Sequence, residues 1–119
     1  MKKRLVFGLV GPKCSHEARK VWNAYFRKKG MDAFFDFYPT SRGKSDLVLR
    51  LSEMFLLERR GYLIDPKLQK ECVSLMDELD ASAKQEGRVD TVVNREGILV
   101  GYFVGSNFSD QQVLFAKNL

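Results

Sequence analysis

Histidine is almost missing from the sequence: His16 is its single instance. That excludes an all-histidine metal centre and any second histidine in catalysis, and it leaves His16 best read as a surface or capping residue. Cysteine is nearly as scarce. Cys14 and Cys72 lie in different segments without metal-ligand spacing. One disulfide between them stays open, but two reduced thiols are the expectation. No apolar run approaches the ~20 residues that span a bilayer. The opening Met1-Lys2-Lys3-Arg4 followed by Leu5–Val10 has the outline of a signal peptide. Gly8 interrupts it and Gly11-Pro12-Lys13 ends it without a small-residue cleavage site, so it reads as a first strand. The expected setting is the cytoplasm, with no membrane partner. No internal repeat or low-complexity tract is present.

What is there suits one domain over residues 1–119. A hydrophobic content of 45% fills a single core of ordinary size. The net charge of +5 is uneven: residues 1–30 hold nine Lys or Arg against Glu17 alone, and the rest of the chain is slightly acidic. A basic first third attracts anions in general. Its charges at Arg19, Lys20, Arg27, Lys28 and Lys29 lie opposite an apolar stripe and are not interleaved with exposed aromatics. A solvated helix face is therefore the better reading, and nucleic acid ranks last among partners.

Arg4–Gly11 reads as a strand buried on both faces. Ser15 caps a helix whose stripe is Ala18, Val21, Trp22, Tyr25 and Phe26, stopped by Gly30. Asp32–Tyr38 is a second strand. A helix over about 46–59 buries Leu47, Leu51, Met54 and Phe55. Gly61–Ile64 is a short strand, and Pro66 opens a third helix capped by Asp65, with Leu68, Cys72, Leu75, Met76 and Leu79 inward. After a short helical piece at Ser82–Glu86, Val89–Asn94 and Ile98–Phe103 flank the turn Arg95-Glu96-Gly97 as a hairpin. Ser109 or Asp110 caps a last helix, Gln111–Asn118. Such alternation predicts a three-layer α/β/α domain with a mostly parallel sheet of five or six strands, one made antiparallel by the hairpin. Ligands in such sheets bind at the carboxyl ends of the strands.

Five words in this order resemble the shikimate/quinate dehydrogenase family. Gly8-Leu9-Val10-Gly11-Pro12-Lys13-Cys14-Ser15-His16, with Trp22-Asn23 downstream, is similar to its first loop and helix. Gly61-Tyr62-Leu63-Ile64-Asp65-Pro66-Lys67 and Met76-Asp77-Glu78-Leu79 resemble its middle motif and the helix end after it. Gly87-Arg88-Val89-Asp90-Thr91-Val92 and Gly97-Ile98-Leu99-Val100-Gly101 resemble the third motif and the following hairpin. The likeness is to the amino-terminal, substrate-binding domain, and residues 110–119 resemble the start of its interdomain linker helix.

The resemblance implies a dehydrogenase that reduces 3-dehydroshikimate with NADPH in a cleft between this domain and a nucleotide-binding one. It places the acid–base lysine at Lys67 or Lys70. It places substrate contacts at Ser15, a remnant of paired serines, at Asp65 in place of a threonine, and at Asp90 in place of an asparagine. The lysine's aspartate partner falls in Phe103-Val104-Gly105, where no carboxylate stands. No Gly-x-Gly-x-x-Gly strand–helix unit occurs in the sequence. The implied chain binds no cofactor and no metal by itself, with NADP entering only if a nucleotide-binding domain is supplied. Three expectations follow. One is a substrate-binding-domain relative without dehydrogenase activity alone, holding a small hydroxylated carboxylate. The second is an enzyme half acting with a separate nucleotide-binding partner. The third is an interaction module that self-associates through Val113, Leu114, Phe115 and Leu119.

Overall fold

Strands and helices alternate along the computed structural model, which describes residues 4–13 and 15–117. The order is β1 (Leu5–Gly11), α1 (His16–Lys28), β2 (Ala33–Pro39), α2 (Lys44–Leu56), β3 (Gly61–Ile64), a 3₁₀ turn (Pro66–Leu68), α3 (Gln69–Val73), β4 (Glu78–Leu79), α4 (Ala81–Glu86), β5 (Thr91–Arg95), β6 (Ile98–Tyr102) and α5 (Phe108–Lys117). The six strands form one sheet in the order β2-β1-β3-β5-β6-β4. Every neighbouring pair is parallel except the two made by β5, which runs against both β3 and β6. This is the mixed sheet expected, and Cys14, Asn118 and Leu119 lie outside the described residues. No helix among the described residues is long and apolar enough to cross a membrane.

Period-two alternation along the strands divides the core into two layers. Phe7, Phe35 and Val93 point to the face covered by α1 and α5, where they meet Trp22, Phe26 and Phe115. Val10, Tyr38, Tyr62, Ile64 and Val92 point to the other face, against Leu47, Leu51 and Met54 of α2 and Leu68, Cys72 and Ala83. Asn23 on α1 ties its layer to the edge strand, donating to the Phe35 carbonyl at 2.9 Å and accepting the Phe35 N–H at 2.8 Å. Those two bonds satisfy backbone groups that an edge strand otherwise leaves open.

The structure departs from the sequence reading at five places. α2 begins two residues early, at Lys44, because the Asp46 carboxylate folds back to accept the Arg42 N–H at 2.7 Å. It ends at Leu56, where Glu58 takes a left-handed φ of 54°, and Phe55 is 58% exposed rather than buried. The third helix stops at Val73 and does not reach Leu79. Glu78–Leu79 instead pairs with β6, fastened by Asp77 N–H to the Leu99 carbonyl and Leu99 N–H to Asp77 Oδ2. The hairpin turn is Glu96-Gly97 alone, both at positive φ (52° and 93°), since Arg95 still pairs with Ile98. That is the two-residue turn whose twist matches the strands. Finally, Asn107 rather than Ser109 or Asp110 starts α5, its Oδ1 accepting the Asp110 N–H at 3.0 Å.

Candidate functional site

Three parallel strands, β1, β2 and β3, deliver their carboxyl ends to one rim of the sheet, and the loop after β6 rises beside them. Gly11 closes β1 against Asp65: a Cβ at position 11 would sit 2.7 Å from the Asp65 Cβ, so only glycine allows this approach. Asp65 N–H donates to the Val10 carbonyl, and its Oδ1 takes the Lys67 N–H at 3.0 Å, capping the 3₁₀ turn. Ser15 does the same for α1, its Oγ accepting the Ala18 N–H at 3.2 Å.

Asp90 is the post of the rim. It is 1% exposed, and both carboxylate oxygens are engaged. Oδ1 accepts the Val104 N–H and the Thr91 hydroxyl, each at 3.0 Å, and Oδ2 accepts the Ser106 N–H at 2.8 Å. The Thr91 hydroxyl in turn accepts from Gln111 Nε2 at 3.3 Å. The chain thus runs from α5 through β5 to the loop after β6. Bonds to an ionised carboxylate are stronger than neutral ones, and burial makes each costly to lose.

Between the rim, α1 and α5 lies a cavity of about 520 Å³. Ser15, Asp65 and Asp90 line it together, with Glu17, Trp22, Ser106, Phe108 and Gln111. Among its described lining residues none is Lys, Arg or His. Lys67 and Lys70 are exposed and do not line it. A wider hollow of about 800 Å³, bordered by Arg4, Leu57, Glu58 and Asn94, lies at the opposite end of the sheet, away from the strand ends that carry the site.

Thr91, Ser106 and Gln111 join the site without standing out in the sequence. Gln111 was legible in principle. It stands one helical turn before the buried Phe115, so the spacing puts it on the covered face of α5. Ser106 carries no such signal, because its place depends on a positive φ of 57° after Gly105 at 66°.

Other titratable groups have structural settings. Burial pushes the Cys72 thiol up to about 12, which keeps it protonated and inert. Burial also raises the Tyr62 hydroxyl, which accepts from Arg59 Nη1 at 2.9 Å and donates to the Arg50 carbonyl at 3.2 Å. Among the described residues no three of His, Cys, Asp or Glu converge as metal ligands.

No family model matches the chain. A shikimate dehydrogenase (NADP(+)) of Pyrococcus furiosus is 32% identical over 98 residues, covering 82% of this chain and 35% of the relative. A shikimate dehydrogenase of Peptoclostridium difficile superposes with a TM-score of 0.77 at 25% identity, over 83% of this chain and 36% of that one. A shikimate 5-dehydrogenase of Listeria monocytogenes, solved with shikimate and NAD, agrees in fold with a TM-score of 0.78 at 21% identity, over 100% of this chain and 43% of that one. Spanning about a third of the length of the curated relatives it matches, the chain is a homologue of the amino-terminal, substrate-binding domain of the shikimate dehydrogenase family.

Proposed function

We propose that the chain holds a small polyhydroxylated molecule, of the size and ring type of shikimate, in the strand-end cavity, and transfers no hydride by itself. The observation that carries this reading is the bond chain from Gln111 through Thr91 to Asp90. It keeps an open cavity built at the edge where sheets of this class receive ligands. A hydroxyl-rich molecule is matched by short donors and acceptors, and Ser15, Ser106 and Gln111 supply hydroxyl and amide groups.

Hydride transfer requires a nicotinamide cofactor, which supplies the reducing electrons when bound. The residues here fit its pyrophosphate poorly. The two helices that start near the rim carry carboxylates in their first turns, Glu17 on α1 and Asp46 on α2, where a phosphate needs free N–H groups and positive charge. The acid–base pair is equally thin. Lys67 and Lys70 do not line the cavity, and Gly105 stands where the resemblance places the family's aspartate, so no carboxylate is supplied there.

The coverage of about a third of each relative favours a second reading, in which a nucleotide-binding unit from another chain or from a longer protein completes the enzyme. Reduction of 3-dehydroshikimate by the chain mixed with such a unit and NADPH would support it. The first reading is tested by amide chemical shifts under millimolar shikimate, quinate and their methyl esters. Shifts at Ser15, Asp65, Ser106 and Gln111 are expected with at least one of them. A spectrum unmoved by all four overturns the reading.

A further inference from the structure

We infer that the cavity takes the uncharged form of such a polyhydroxylated molecule and turns away the carboxylate form of the same skeleton, a step that rests on the ligand-binding reading above. Three carboxylates stand in its walls, Glu17, Asp65 and Asp90, with no described basic side chain among them. Of the cations on the flanking elements, Lys13 and Lys67 are exposed and do not line the cavity, and two arginines are engaged elsewhere. Arg19 pairs with Asp36 Oδ1 at 3.5 Å, and Arg88 donates to Gln69 Oε1 at 2.8 Å while its guanidinium lies over the Phe103 ring. Charges that share the mouth of an open cavity interact through an effective dielectric between those of the protein interior and bulk water. Each wall carboxylate therefore opposes an anionic ligand.

One feature would favour an anion. The start of α1 borders the cavity, and a helix amino-terminus carries partial positive charge. That charge is already answered, because Ser15 Oγ takes the Ala18 N–H and Glu17 sits in the first turn. The hydrogen-bond inventory points the same way. An ionised carboxylate only accepts, with room for two bonds at each oxygen. Asp90 Oδ2 takes one amide and Asp65 Oδ1 takes one amide. The walls are rich in acceptors, which hydroxyl donors complement and a further carboxylate does not.

Calorimetric titration of the full chain with shikimate and with its methyl ester isolates the charge, since the two share ring and hydroxyls. The ester is expected to bind about tenfold tighter or more at low salt. The ratio should narrow as salt screens the walls. The double variant Glu17→Gln/Asp65→Asn keeps side-chain size and the cap at position 65, and should bring the ratio several-fold closer to one. If that variant fails to fold, Glu17→Gln alone, on the exposed first turn of α1, carries the same comparison. Equal affinity, tighter binding of the acid, or a ratio indifferent to the wall charges overturns the inference while leaving a ligand site standing. Binding of neither compound overturns the inference, and the amide spectra with all four compounds then decide the reading beneath it separately.

Discussion

The face of the sheet under α1 and α5 and the rim at its strand ends lie side by side, yet they are held by opposite means. The face is aromatic and dry. Trp22 stacks on Phe35 with ring centroids 5.5 Å apart and 7° between planes, and Phe115 meets Phe7 at 4.6 Å. Its cohesion comes from burying large rings, which needs only the right periodicity and volume. The rim is polar and tied by directed bonds across long stretches of chain: Asp90 reaches Val104 and Ser106, and Gln111 reaches Thr91. A surface of the first kind keeps its fold through many substitutions of similar size. One of the second kind changes its chemistry when a single amide becomes a carboxylate. Here the fold of the shikimate dehydrogenase substrate-binding domain carries a rim in which Asp90 holds the loop after β6.

The contrast can be broken most forcefully on the face. Trp22→Ala removes the ring shared by Phe26, Phe35 and Phe108, and should cost about 3–5 kcal/mol in urea unfolding. Asp90→Ala orphans two backbone N–H groups and the Thr91 hydroxyl, and should cost about 2–4 kcal/mol by the same measurement. A loss within about 0.5 kcal/mol, the range of an ordinary surface change, would erase the distinction between rim and solvated surface. On the other face, Tyr62→Phe leaves Arg59 without its hydroxyl acceptor and should cost about 1–2 kcal/mol.

Acid tests the directed bonds as a class. The Arg42 backbone N–H holds the Asp46 carboxyl below its usual 3.8, and the Ser82 hydroxyl does the same for Asp80. Both contributions are complete above the unfolded value and fade as pH falls through the lower folded one. The stability gap between wild type and Asp46→Asn should therefore be full at neutral pH and shrink on descending below pH ~4, as followed by thermal melts. A gap that stays constant to the bottom of that range would mean the bond is not made. The smallest effect belongs to Lys67→Ala and Lys70→Ala, each within about 0.5 kcal/mol of wild type in thermal unfolding, because both side chains are exposed.

The face was the legible part of the sequence. Of the stripe Ala18, Val21, Trp22, Tyr25 and Phe26, all but Val21 pack in the aromatic layer, and Val21 is left 41% exposed. The alternation of strand and helix gave the mixed sheet, including the antiparallel β5. What escaped depends on distant partners. Glu78–Leu79 follows a helical pattern in sequence, but pairing with β6 offers its backbone more than a longer helix does. Phe55 keeps the spacing of a buried residue and ends exposed, since α2 stops one residue later and Glu58 turns the chain. The third hypothesis loses a member for the same reason: Phe115 is 2% exposed and belongs to the core, whereas Val113 beside it is 63% exposed. At the rim, Ser15, Asp65 and Asp90 came from the family words and do line one cavity, while Lys67 and Lys70 came from the same words and are exposed without lining it. Motif spacing records the neighbours along the chain, and the direction of a side chain is set by what packs behind it.

The rim's construction around Asp90 is tested most directly by native-state hydrogen exchange at the Val104 and Ser106 amides, compared between wild type and Asp90→Ala. Both amides are expected to be protected in the wild type and to lose protection selectively in the variant, beyond the general loss seen at core amides such as those of Phe7 and Val92. Equal exchange of the two amides in both proteins, relative to that core reference, would contradict Asp90 as the post on which the cavity stands.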